Sequence, residues 1–386
     1  VNTGGSSLLP LRVCFFGTYA RGYTVSRILH RAVEQTAAEV IDCHEPLWER
    51  VAVKADSYFQ VRSLVRLAVA YARAAHRLSH RLAGLGSADL YVVGFQGQLD
   101  LVLLRALLHR KRSPILFAPL VTLTETLVED RHLFRPTSAQ ALLLRLLDRR
   151  ALSAASRVLI DTHAHASYLQ DRLEVPAGKI STWHLGCDGG VFRPAAGPDH
   201  GEQLRVLFYG SFLPLHGVES IVEAARRLRS QKEITFDLYG DGPMLAACQS
   251  AAAKSGLSNL HFYPWQPYES LGELIAQYDL CLGVFGSGRK SQMVIPNKIY
   301  QCAAVGRAII SADTPAVREV FSHGETIWLC RNDGGADLAE AVQELAGHPA
   351  RRQRMAQQAQ ELMGSRFSTA EQARRIGSIL AQTCSA

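Results

Sequence analysis

Three short stretches in the second half of the chain carry residues suited to an anionic ligand. Pro296-Asn297-Lys298-Ile299-Tyr300-Gln301 runs on to Gly306 and reads as a helix that starts near Asn297 and stops at the glycine. Lys298 in its first turn opposes the helix dipole, so an anion is expected opposite it. Lys298 and Gln301 stand three apart and share a face. An ammonium for phosphate and an amide for ribose hydroxyls would suit a nucleoside diphosphate; an ordinary surface lysine is the plain alternative. Gly210-Ser211-Phe212-Leu213-Pro214-Leu215-His216-Gly217 reads as a strand end, a loop and a helix start. Free N–H groups at such a start bind anions, and His216 could add a hydrogen bond. An ordinary loop with an exposed histidine fits the same letters. Gly240-Asp241-Gly242-Pro243 follows an apolar run directly. Its glycines allow a tight turn beside a ligand, Pro243 suits the first helical position, and Asp241 could simply cap the helix.

These stretches need a frame, and the apolar runs supply one. In the first half, residues 12–16, 89–93, 114–118 and 157–160 are short buried strands, with a further apolar run from Glu39. In the second half the strands are residues 205–209, 235–239, 261–263, 280–284 and 308–310. Helical patterns lie between them, among them residues 139–155 and 218–230, and residues 368–382 read as a terminal helix. Continuous apolar strands alternating with helices imply an α/β class with parallel sheets covered on both faces. Domains run to about 100–200 residues, so 386 residues suggest two. The boundary is expected in the Pro- and Gly-rich residues 192–201.

Composition excludes little. A formal charge of +7 is mild and spread along the chain, so nucleic acid is not expected; an anionic small molecule or membrane surface would serve as well. The eight cysteines show no CxxC and no zinc spacing, and read as buried reduced thiols. No run reaches the ~18 apolar residues that span a bilayer. Residues 1–10 read as a flexible lead-in rather than a secretory signal. Residues 58–83 form a long helical pattern with Arg62, Arg66, Arg73, Arg77 and Arg81. This is either a core helix with a solvated basic face or a cationic helix lying on an anionic membrane.

Taken in order, Gly-x-Phe-x-Pro-x-His-Gly from Gly210, Gly240-Asp241-Gly242, Trp265-Gln266-Pro267, Pro296-Asn297-Lys298-x-Tyr-Gln301 and Asp313-Thr-Pro-Ala-Val-Arg-Glu319 resemble the donor domain of the family 4 (group 1) retaining glycosyltransferases. His184-Leu-Gly-Cys-Asp188-Gly-Gly-Val-Phe192 is similar to that family's stretch before its second domain. The resemblance implies a GT-B fold: two Rossmann-like domains facing a central cleft. It implies an acceptor-side domain over residues 8–191, a nucleotide-sugar domain over 202–365, and a helix over 366–386 packing back on the first domain. The implied activity is sugar transfer from a UDP-, GDP- or dTDP-linked donor to a glycan, lipid-linked or small-molecule acceptor. Anomeric configuration would be retained, with neither metal nor cofactor, in the cytoplasm or at the inner face of the membrane. Gly17, Gly210, Ser211, Gly217, Gly240, Asp241, Gly242, Trp265, Gln266, Pro296, Asn297 and Gln301 would line the donor, with Lys298 and His216 on its diphosphate.

Several positions depart from that pattern. Ser211 stands where the family commonly has Arg, and His216 where it has Lys. Met293 and Gln301 stand at its two glutamates. In the first half the resemblance turns the loop with Gly17, Thr18 and Tyr19 toward donor and acceptor. Glu129 and Asp130, beside Arg131, could orient acceptor hydroxyls, and Glu125 or His132 could assist proton transfer. Helix capping and surface solvation would account for the same polar groups. His163 and His165, two apart, make a poor metal site. A GT-B epimerase and a non-enzymatic sugar-binding protein remain alternatives.

Overall fold

The computed structural model describes residues 8–48, 61–109, 113–198 and 200–385, with residues 61–64 by backbone alone. The start of the basic helical pattern (58–60) and the Arg62 side chain lie outside the described residues. The chain forms two compact units. One takes the chain to Leu185 and again from Thr369; the other spans Gly186–Ser368.

The first unit runs β1 (Leu9–Gly17), α1 (Thr24–Glu34), β2 (Ala37–His44), α2 (Val61–Gly84), β3 (Leu90–Val93), α3 (Gln98–Leu107), β4 (Ile115–Phe117), a π-helical segment (Thr124–Asp130), α4 (Ala139–Ala154), β5 (Arg157–Ile160), α5 (His163–Leu173) and β6 (Ile180–Thr182). The second runs β7 (Leu204–Tyr209), α6 (Val218–Arg227), β8 (Ile234–Tyr239), α7 (Leu245–Lys254), β9 (Leu260–Tyr263), α8 (Leu271–Ala276), β10 (Leu280–Leu282), α9 (Arg289–Met293), α10 (Asn297–Val305), β11 (Ala308–Ala312), α11 (Pro315–Arg318), β12 (Trp328–Cys330), α12 (Ala336–Gly347) and α13 (Pro349–Arg366). The last helix, α14 (Thr369–Cys384), returns to the first unit.

Each unit is built on a six-stranded parallel sheet, ordered β2-β1-β3-β4-β5-β6 and β12-β11-β10-β7-β8-β9. The central strands are apolar on both faces because helices cover both: β3 is buried at all four residues, and so is β11 at all five. In both sheets the strand order reverses direction, between β1 and β3 and between β7 and β10. In open α/β sheets, ligands bind outside the carboxyl ends of the strands at such a reversal. Gly17 and Gly210 follow β-structure at those two points.

The sequence differs from the structure in instructive places. Phe192 is buried and packs edge-on to Tyr268, with ring centroids 5.5 Å apart. Residues 192–201 therefore belong to the second unit, and the division falls earlier, after Leu185. Pro243 does not open a helix; α7 begins at Leu245. The turn before it is taken up by loop packing: Gly240 (φ +144) lies against the Gly210 carbonyl, where a Cβ would collide. The tail helix is tied down by polar bonds. The Thr36 hydroxyl donates to the Ala373 carbonyl (3.0 Å), and the Gln372 amide donates to the carbonyls of His184 and Leu185.

Candidate functional site

At the reversal in the second sheet, β7 ends in Tyr209 and Gly210 turns away with φ +140. A Cβ on Gly210 would stand 3.1 Å from Lys298 Nζ and 3.4 Å from His216 Cε1, so both side chains flank this glycine. Lys298 occupies the first turn of α10, as its sequence context suggested. It is not a surface lysine. It is 6% exposed, its ammonium has no hydrogen-bond partner, and it stands 3.8 Å above the centroid of the Phe208 ring. Burial pushes its pKa down to about 7. A cation–π contact offsets only part of the cost of burying a charge. The site is thus electropositive in waiting: an anion placed at Gly210 would meet a cation that no protein group neutralises.

His216 ends the single helical turn Pro214–His216, whose cap Gly217 has φ +57 and abuts the Phe285 backbone. Its Nδ1 is bonded to the Ser211 carbonyl, which folds the loop over itself. Burial first, then the Lys298 charge, push its pKa well below the ordinary value. His216 is therefore a neutral side chain whose Nδ1 braces the loop.

Gln301 is buried, and its carbonyl oxygen accepts from the Tyr209 hydroxyl at 2.7 Å. That acceptor is spent inside the unit, where ribose contact was expected. Pro296 caps α10 and Asn297 is its first residue. Asp241 accepts from the Gly242 amide (2.7 Å), a local turn bond rather than a helix cap. Gly242 (φ +149) packs on the Phe212 backbone. Trp265 is 58% exposed, and the Gln266 amide donates to the Pro264 carbonyl (3.3 Å). Met293 is buried, while Ser291 donates to the Gly286 and Gly288 carbonyls (2.6 Å each) and so shapes the loop after β10.

At the reversal in the first sheet the chemistry is opposite. Thr18 is buried, and both its amide (2.7 Å) and its hydroxyl (2.9 Å) donate to Asp100 Oδ2. Tyr19 is buried as well; its hydroxyl donates to Asp42 at 2.5 Å, and its carbonyl lies 2.7 Å from His44 Nε2. Both hydroxyls are thus taken up by carboxylates within the first unit. Gly17 has φ +134, and a Cβ there would lie 2.5 Å from Asp100 Oδ2. This position needs glycine because the carboxylate occupies the side-chain space.

Glu125 was the candidate proton-transfer group. It is 1% exposed, with Oε2 2.9 Å from His165 Nε2, and His165 Nδ1 is 2.8 Å from Asp161 Oδ1. Against the pull of burial, the two carboxylates raise the His165 pKa to about 10, so the ring is a buried imidazolium. Glu125 is thus a counter-ion of that imidazolium. Glu129 lines a polar cavity of about 150 Å³ with Thr124, Arg145, Tyr168, Asp171 and Arg172, between the π-helical segment and helices α4 and α5. Asp130 and Arg131 are half-buried at the end of that segment.

Sequence reasoning missed Asp100 and Asp148. Asp148 on α4 accepts from the amides of Leu123 (3.0 Å) and Thr124 (2.8 Å) and from the Thr124 hydroxyl (2.7 Å). The available signal was position: each acid falls where the helix's apolar period assigns a buried residue, beside Leu101 and Leu104 or Ala141 and Ala151. Among the described residues, no group of three or more His, Cys, Asp or Glu side chains is arranged to hold a metal.

Residues 203–348 match the family model described as Glycosyl transferases group 1. The match lies within the second unit, which is similar to group 1 glycosyl transferases there. The chain is 35% identical over 109 residues to WcaI of Escherichia coli (strain K12), a glycosyl transferase named for colanic acid biosynthesis; that match covers 28% of this chain and 26% of the relative. It is 24% identical over 234 residues to the alpha-D-kanosaminyltransferase of Streptomyces kanamyceticus, covering 57% and 59%. The matches thus span about a quarter and about three-fifths of these relatives. Among solved structures, Anabaena Alr3699/HepE in complex with UDP is similar over 97% of this chain and 100% of that one, at 13% identity and a TM-score of 0.69. This likeness extends the fold to both units, which have the GT-B architecture of two parallel α/β sheets.

Proposed function

We propose that the protein is a glycosyltransferase that takes a sugar from a nucleotide-sugar and delivers it to a hydroxyl of a glycan, lipid-linked or small-molecule acceptor. The observation that carries this reading is Lys298, a buried ammonium without a hydrogen-bond partner at the strand-order reversal of a unit similar to group 1 glycosyl transferases. In the reaction the bond from the anomeric carbon to the diphosphate breaks, and the acceptor oxygen bonds that carbon on the same face. The acceptor's proton leaves with the diphosphate. Negative charge therefore grows on the diphosphate, and a preformed cation in a water-poor site acts most strongly on charge that appears in the transition state. On this reading Lys298 supplies that positive charge without a metal. Retention of configuration rests on the resemblance to the retaining family. UDP is a reasonable first nucleotide because the HepE structure holds it.

The acceptor is assigned to the first unit. No described helix is long and apolar enough to cross a membrane. On α2, Arg77 and Arg81 pair with Glu45, whereas Arg66, Arg73, Val65 and Val69 are exposed. That face suits peripheral contact with an anionic, cytoplasmic membrane surface. Thermal-shift titration with UDP, GDP, dTDP and their sugars tests the donor reading. A shift with at least one nucleoside diphosphate is expected, and none with any of them would overturn it.

A further inference from the structure

In the loop after β1 the hydroxyls of Thr18 and Tyr19 are taken up by carboxylates, and this points to the group that holds the loop. We infer that Asp100 is a positioning residue. Its ionised carboxylate latches the Gly17–Thr18 loop at the strand-order reversal of the first sheet, and protonation weakens the latch. The functional meaning of the latch rests on the reading above; its existence does not.

Geometry carries the inference. Asp100 sits in the first turn of α3 and is 1% exposed. Its Oδ2 takes two bonds from one residue, Thr18, through amide and hydroxyl. The same oxygen fills the place of a Gly17 side chain. Next to Thr18, Tyr19 packs beside Gly94 from the β3 loop. Beyond Tyr19 the loop carries Tyr23, which stacks on Phe95 from that same neighbouring loop at 4.6 Å and remains 42% exposed. Tyr23 of this pair lies five residues beyond the latched Thr18. Such a pair offers a flat apolar face of the kind that takes a ring.

Among the described residues, Thr18 from the β1 loop and Tyr71 from α2 face Asp100. Burial raises the Asp100 pKa to about 6, against the lowering by Thr18 and Tyr71. The sign separates loosening from unfolding. A carboxyl whose folded-state pKa lies above its unfolded value favours folding as pH falls from about 6 toward 4. Over the same range its bonds to Thr18 lose their charge assistance. Acid should therefore loosen the loop while this group, taken alone, steadies the fold.

Amide hydrogen exchange on the full-length protein tests this, following the segment with Thr18 and Tyr19 at pH 5 and pH 8 after correction for intrinsic rates. In the wild type, protection of the Thr18 amide should fall about fivefold to tenfold from pH 8 to pH 5. Thermal stability should not fall in parallel. Asp100→Asn keeps an acceptor oxygen without the charge, so it should show the low protection at both pH values. Unchanged protection in the wild type across this range, or an unaltered pH dependence in Asp100→Asn, would overturn the latch. UDP-glucose turnover with methyl glucosides as acceptors is measured in parallel. Its absence in the wild type would count against the transferase reading and leave the exchange result standing.

Discussion

The two sheets present the same topological feature, a strand-order reversal, and treat charge there in opposite ways. In the first unit the loops after β1 and β4 are strapped down by buried carboxylates, Asp100 and Asp148, each accepting backbone amides. Glu125 and Asp161 enclose a protonated His165 nearby. In the second unit the loops after β7 and β8 meet backbone to backbone through glycine, and the buried Lys298 ammonium is left without a hydrogen bond. Internal pairing ties down the first unit's strand ends. The unpaired charge of the second is the basis of the proposed anion site. Buried charges that are paired support a fold, whereas an unpaired one weakens it and is kept for function.

The contrast predicts opposite signs for charge removal. The largest effect is expected at His165. His165→Leu strands two buried carboxylates and should cost about 3–5 kcal/mol in denaturant unfolding. The wild-type contribution has a pH signature as well. The folded pKa of about 10 lies above the ordinary histidine value of 6.5. The contribution is therefore fully present below 6.5 and lost as pH rises through about 10. Asp148→Ala leaves two amides and a hydroxyl without their acceptor and should cost about 1–3 kcal/mol by the same measurement.

Lys298→Met should do the reverse and stabilise the unliganded protein by about 0.5–2 kcal/mol. That gain should be greatest below pH 7. It should shrink as pH rises from about 7 toward 10.5, because the folded state gives up this proton more readily than the unfolded one. A loss of stability in this variant would break the comparison. The smallest effect is expected on α2. Replacing Arg66 and Arg73 by Gln should leave stability within about 0.5 kcal/mol. It should weaken co-sedimentation with anionic liposomes, and equal binding by both proteins would remove the electrostatic account of that face.

How far the sequence reveals this contrast depends on the kind of interaction. Apolar runs located most strands, because burial on both faces leaves a continuous signal. The edge strands β6, half-buried throughout, and β12, opening on half-buried Trp328, lack the fully buried run that marked the equally short β4 and β10. The start of α10 and its stop at Gly306 were legible from Pro296 and the glycine, whose φ is +81. The burial of Lys298 was not, since burial depends on Phe208 from a strand ninety residues earlier in the chain. His216, Thr18 and Tyr19 read as substrate contacts because their types permit it. Partners distant in sequence, Asp100 for Thr18 and Asp42 for Tyr19, take up those two hydroxyls in the fold. Gly240 and Gly242 were read as room for a ligand, but in the fold they are room for the neighbouring loop.

The central claim is that Lys298 waits for a diphosphate, and calorimetric titration of UDP, GDP and dTDP into the wild type and Lys298→Met tests it directly. The account predicts that the wild type binds at least one of the three. The variant, though at least as stable when empty, should bind that nucleotide about a hundredfold or more weakly, as expected when a buried charge partner of the ligand is lost. Binding by Lys298→Met within threefold of the wild type would contradict it.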